Sequence, residues 1–130
     1  MILNKIYNEL SGLYPCRSVG GDIYIFTGTF IDGEGLSLIF TPIGTHECRL
    51  VTGEAFSDYF KYREIAEDYP EGIALITRRF GVTCDKASGT LSIGFRRNAL
   101  SVTEAICRLQ AAALMICELG DSMFFKPEIS

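Results

Sequence analysis

The sequence predicts an α+β domain: an antiparallel sheet with helices packed on one of its faces, in the order α-βββ-α(α)-ββ-α. Two observations carry this. Strand-like runs come in consecutive groups joined by tight glycine turns, a three-stranded meander and then a second hairpin, which is how antiparallel rather than βαβ sheets are written. Apolar runs at helical spacing stand before, between and after those groups. A length of 130 residues, with 48% hydrophobic and 22% charged composition, fits one globular domain spanning residues 1–130 with a sizeable core.

The first helix is read over residues 2–13, where Ile2, Leu3, Ile6, Tyr7, Leu10 and Leu13 repeat at helical spacing. Gly12 to Pro15 stop it. Gly20 and Gly21 open a strand from Asp22 to Phe30, in which Tyr24 and Phe26 alternate with Ile23 and Ile25. Asp32-Gly33-Glu34-Gly35 is a turn signal, since glycine accepts positive φ. Strands at Leu36 to Thr41 and at residues 46–51 follow. Thr52 is placed to cap a short helix from Glu54 to Lys61. Residues 62–70 read as a charged surface connection. Pro70 and Glu71 suit a helix start, and Gly81 suits its end. Val82 to Cys84 and Thr90 to Phe95 form the second hairpin, with Leu91, Ile93 and Phe95 on one face.

The last helix, Val102 to Glu118, is the longest apolar-periodic run. Ser101 and Glu104 have the spacing of a capping box. Val102, Ala105, Ile106, Leu109, Ala112, Ala113, Ile116 and Cys117 fall in one arc of about 140°. Cys107, Ala111, Leu114 and Met115 form a second apolar strip on the opposite side. A helix apolar on two sides is either sandwiched inside its own chain or lies against another protein. This strip is the candidate interaction site, for a protein partner or as the seam of a homodimer. Gly120 is read as the end of the helix, with Met123, Phe124 and Phe125 in a tail.

Several function classes are disfavoured. A net charge of −4 and a pI near 5.0 argue against a general grip on nucleic acid or anionic lipid. No apolar run approaches the ~18 residues of a membrane span. The first ten residues lack the apolar block and cleavage site of a signal peptide. The five cysteines are odd in number and contain no CxxC, so reduced thiols and a cytoplasmic location are expected. His46, the single histidine, shares a strand face with Cys48, but no third group orients a Cys–His nucleophile. One histidine with scattered cysteines does not make a zinc site. The glycines at 33 and 35 lack the spacing of a phosphate loop, and no cofactor is expected. The basic doublets Arg78-Arg79 and Arg96-Arg97 read as solvated surface, the first in a favoured helix C-terminal position.

One enzyme reading has some shape. A restriction-endonuclease-like nuclease resembles this chain in element order, with Asp32, Glu47 and Arg49 near the acidic and Glu-x-Lys positions. Arginine stands where lysine is needed and holds its proton too tightly to help activate a water in the same way. The non-enzymatic reading is therefore preferred, with a nuclease or nuclease remnant as the alternative.

The stretches LYPCR, GDIYIFTGTFIDGEGLSLIF, RLVTGEAFSDYF, RRFGVTCDKASGTLSI and AICRLQAAALMICEL carry a resemblance, from Leu13 to Leu119, to a bacterial and phage family of unknown role, the domain of unknown function 1828 family. That family typically has Leu-Thr-Asp-x-Gly where the third strand meets its helix. Here Leu50-Val51-Thr52-Gly53 keeps the leucine, threonine and glycine without the aspartate. The resemblance implies a fold and a phage or bacterial setting and supplies no mechanism; separately, the protein-binding reading includes an accessory or counter-defence protein of a phage or mobile element. In shape alone the chain is also similar to small acidic secretion chaperones, which dimerise and wrap an effector segment.

Overall fold

A computed structural model describes residues 2–31 and 33–125 of the chain. Helix α1 (Ile2–Ser11) is followed by a four-stranded meander, β1 (Cys16–Val19), β2 (Asp22–Ile31), β3 (Glu34–Pro42) and β4 (Glu47–Thr52). Three helices come next, α2 (Glu54–Tyr62), α3 (Ile65–Asp68) and α4 (Pro70–Phe80). The hairpin β5 (Thr83–Asp85) and β6 (Thr90–Arg96) then leads into the last helix, α5 (Val102–Phe125). All neighbouring strands pair antiparallel, in the spatial order β1-β2-β3-β4-β6-β5. The fold is α+β, as its hairpin-rich pattern predicts.

The core lies on one side of this sheet. Strand side chains alternate between faces, and the registers Ile23↔Phe40, Phe40↔Leu50 and Leu50↔Ile93 align one face across four strands. Ile23, Ile25, Leu38, Phe40, Leu50 and Leu91 on that face are fully buried, and join Phe56 and Phe60 of α2 and Ile106 and Leu109 of α5 in a single cluster. α1 adds Ile6 and Leu10. Helix α5 lies across β4 and β6 and touches α2, α3 and α4.

Several expectations are corrected, each for a physical reason. β1 is an unforeseen edge strand; three of its four residues are exposed, so it carries no apolar alternation. Residues 65–68, read as a surface connection, form the short helix α3, anchored by fully buried Ile65. Thr52 does not cap α2, whose N-cap is Gly53 without a side-chain bond. Instead Thr52 is buried in β4, where its Oγ1 accepts from the Leu91 N–H at 3.0 Å and donates to the Leu91 carbonyl at 3.4 Å. Gly120 does not end α5. A side chain there would run into Ile65, its Cδ1 2.9 Å from the position of a Cβ, and into the Tyr59 ring, so this glycine permits close packing and the helix continues through Phe125. The expected stop at Gly81 is present, with φ 67° in the left-handed region that glycine adopts without steric cost.

Candidate interaction surfaces

Helix α5 begins as its sequence predicts at one of the two capping contacts. The Glu104 N–H donates to Ser101 Oγ at 3.1 Å, satisfying one orphan donor of the first turn. The Glu104 carboxylate is engaged with Arg108, one turn on, at 3.4 Å. Such an exposed i,i+4 pair contributes about 0.3–0.5 kcal/mol.

The inner arc is buried along almost its whole length. Ala105, Ile106, Leu109, Ala112, Ala113 and Ile116 have no exposure, Cys117 is buried, and Val102 is half-buried. At the C-terminal half, the Tyr59 hydroxyl donates to the Cys117 carbonyl at 3.2 Å and to Asp121 Oδ1. This fastens α2 across α5. Burial, and then the Asp121 charge, push the Cys117 thiol up to about 12, so it stays protonated and unreactive at neutral pH. Burial and the Asp121 contact likewise raise the Tyr59 hydroxyl.

The opposite strip is only partly covered by the described residues, with Met115 packed against the edge of the core. Cys107 is exposed, Leu114 is 38% exposed, and Ala111 and Met115 are half-buried. Glu104 and Glu118, both exposed, stand at its two ends. The four apolar residues thus form a patch about 12 Å long on one helix, bracketed by carboxylates. The packing of α5 by its own chain is heavier on the inner arc; of the second strip, Cys107 and Leu114 are exposed and Ala111 and Met115 are half-buried.

A second uncovered surface was not foreseen as a site. The sheet face turned away from the helices carries Tyr24, Ile39 and Val51 in one cross-strand row, set by the pairs Tyr24↔Ile39 and Ile39↔Val51. All three are half-buried. Phe26, 42% exposed, and Val19, 44% exposed, adjoin the row. The Arg17 guanidinium sits 6.0 Å from the centre of the Tyr24 ring, within cation–π range. Arg49, on the same face, makes no ion pair among the described residues. An antiparallel sheet with one solvated face normally alternates apolar with polar. The alternation of Tyr24 and Phe26 with Ile23 and Ile25 was the available signal: both faces of β2 are apolar.

The catalytic readings do not assemble. Cys48 is buried, and its thiol donates to the backbone carbonyl of His46 at 3.7 Å rather than facing the imidazole. Burial raises this thiol, only partly offset by Arg97, the reverse of an activated nucleophile. Of the nuclease trio, Asp32 lies outside the described residues. Glu47 is paired with Arg96 across the strands at 3.3 Å, and Arg49 is exposed on the open sheet face. Arg97 donates to the Thr45 carbonyl at 2.9 Å, so the 96–97 doublet braces the β3–β4 turn. Among the described residues no group of three or more histidine, cysteine or acidic side chains is placed to hold a metal ion. A surface dish of about 440 Å³ over Phe60 is rimmed by Lys61, Glu64, Glu67 and Lys86, all exposed and of balanced charge. Among the described residues no helix is long and apolar enough to cross a membrane.

No protein-family model, no curated protein and no solved structure matches this chain.

Proposed function

We propose that this chain is a non-enzymatic protein-binding module that acts through contact, with the outer strip of α5 as a contact surface for another protein chain. The observation that carries the reading is the uneven packing of α5: Ala105, Ile106, Leu109, Ala112, Ala113 and Ile116 have no exposure, while Cys107 and Leu114 are exposed and Ala111 and Met115 only half-buried on the same helix. An apolar stripe on a helix docks into a complementary groove or against a second helix. The occupant is a partner protein or a second copy in a homodimer. Glu104 and Glu118 at the ends of the strip favour basic groups on the occupant. The resemblance to a phage and bacterial family supports a phage or bacterial setting, and an accessory or counter-defence role in the cytoplasm is part of the same proposal.

The test uses Leu114→Glu together with the Cys107 thiol. Leu114→Glu is expected to fold as the wild type does, by circular dichroism and melting, and to lose whichever association the strip makes. Cys107 is expected to alkylate at least about tenfold faster than the four more enclosed thiols, and to be protected when the strip is occupied. An unfolded Leu114→Glu chain would make the strip part of the core and sink the reading. Divalent-metal-dependent DNA cleavage that disappears in Glu47→Ala would replace it with the nuclease.

A further inference from the structure

We infer that the open face of the sheet is the seam of a homodimer, covered by the same face of a second copy of this chain. This is a different surface from the α5 strip and lies on the opposite side of the sheet from the helices. Three features of the face point to a second copy rather than to some other occupant.

The first is self-complementary charge. Asp22, one step beyond the Ile23↔Phe40 pair, lies beside Thr41, and Thr41 pairs with Arg49. Asp22 and Arg49 therefore flank β3 at the same level, on its two sides, and neither makes an ion pair among the described residues. A two-fold axis along β3, between two facing sheets, exchanges the β2 side with the β4 side. It brings Asp22 of each copy opposite Arg49 of the other. The remaining ion pair of this face, Glu47 with Arg96 at 3.3 Å, is already closed within one chain.

Shape follows the same symmetry. The operation that joins Asp22 to Arg49 sets the Tyr24 ring against the smaller Val51 and stacks Ile39 on its own counterpart, as an isologous interface requires. Facing sheets pack about 10 Å apart with their strands nearly aligned, the spacing that large-against-small pairs fill.

The third feature is size. Five strands, β1 to β4 and β6, overlap under this axis; at about 4.8 Å and five to six residues of length they give roughly 450 Å² of flat footprint. Side-chain relief raises this toward the ~800 Å² per partner of a stable interface. A single-stranded nucleic acid stacked on Tyr24 and Phe26 is the competing occupant. The aliphatic centre of Ile39 and Val51, and a chain charge of −4, favour protein.

Light scattering on the full chain across a concentration series tests this. The wild type and Leu114→Glu are expected at twice 14.4 kDa, and Ile39→Glu as a folded monomer. Asp22→Arg and Arg49→Asp are each expected to raise the dissociation constant at least about tenfold, and the two together to restore it to within about threefold. The charge exchange keeps the test decisive if Ile39→Glu fails to fold. A monomeric wild type, a dimer that survives Ile39→Glu, or a double exchange that does not restore association overturns the inference. So does tight binding of a single-stranded oligonucleotide that Ile39→Glu abolishes. A dimer lost in Leu114→Glu and kept in Ile39→Glu also overturns it, while leaving the α5 contact surface standing.

Discussion

On the helical side of the sheet, Ile23, Ile25, Leu38, Phe40 and Leu50 have no exposure. One residue along the same strands, on the other side, Tyr24, Ile39 and Val51 remain partly open to solvent. The same contrast runs through α5, where Ala113 is fully buried and its neighbour Leu114 is 38% exposed. In both places apolar chemistry is present on two sides and packing on one. The buried sides account for stability. The open sides are not needed to build the core, which is why they are the surfaces on which contact with another chain is placed.

The largest expected effect comes from putting the same charge on the two sides of α5. Ala113→Glu buries an unpaired carboxylate in a filled core and should cost more than about 4 kcal/mol, enough to leave much of the chain unfolded. Leu114→Glu, one residue on, should shift the stability of the isolated chain by no more than about 0.5 kcal/mol. Urea unfolding of the two variants side by side measures the contrast, and equal losses would erase it.

A smaller effect is expected on the covered side of the sheet. Thr52→Val keeps the shape of the side chain but removes the hydroxyl that both accepts from and donates to the Leu91 backbone. A loss of about 1–3 kcal/mol follows from the unsatisfied buried groups. Val51→Thr, on the open face beside it, should change the stability of the isolated chain by less than about 1 kcal/mol.

The pH dependence is a finer probe of the enclosed side of α5. The Cys117 thiol is raised from 9.0 to about 12 by burial, then by Asp121. A folded value above the unfolded one leaves stability unchanged below pH 9 and lowers it as pH rises toward 12, because the unfolded chain releases the proton first. Cys117→Ala should reduce the onset of this alkaline loss, leaving the part due to the other raised thiols, Cys16, Cys48 and Cys84, and to Tyr59.

What the sequence made legible follows from how each element writes itself. The inner arc of α5 repeats over eight residues, enough for the 3.6-residue period to be unmistakable, and all eight are turned inward. Its outer strip was equally readable, because the same period displays both sides. β1 left no trace, since Arg17, Ser18 and Val19 are exposed and only Cys16 packs against the core. α3 is four residues long, too short for any period. Gly120 was misread because glycine serves both as a helix stop and as a place where another side chain must approach closely. The open sheet face was half legible: its apolar residues could be counted from the alternation, but a sheet buried on both faces reads the same way. The insertion of β6 between β4 and β5 is a long-range pairing that local hairpin signals do not encode.

The most direct measurement is the mass of the wild-type chain by light scattering over a wide concentration range, with Cys107 alkylation followed in the same samples. The account predicts a mass that rises to twice 14.4 kDa while Cys107 stays reactive, because the sheet face is occupied and the α5 strip is still free. A mass of 14.4 kDa at every concentration, together with a Cys107 no more reactive than the enclosed thiols, would contradict it.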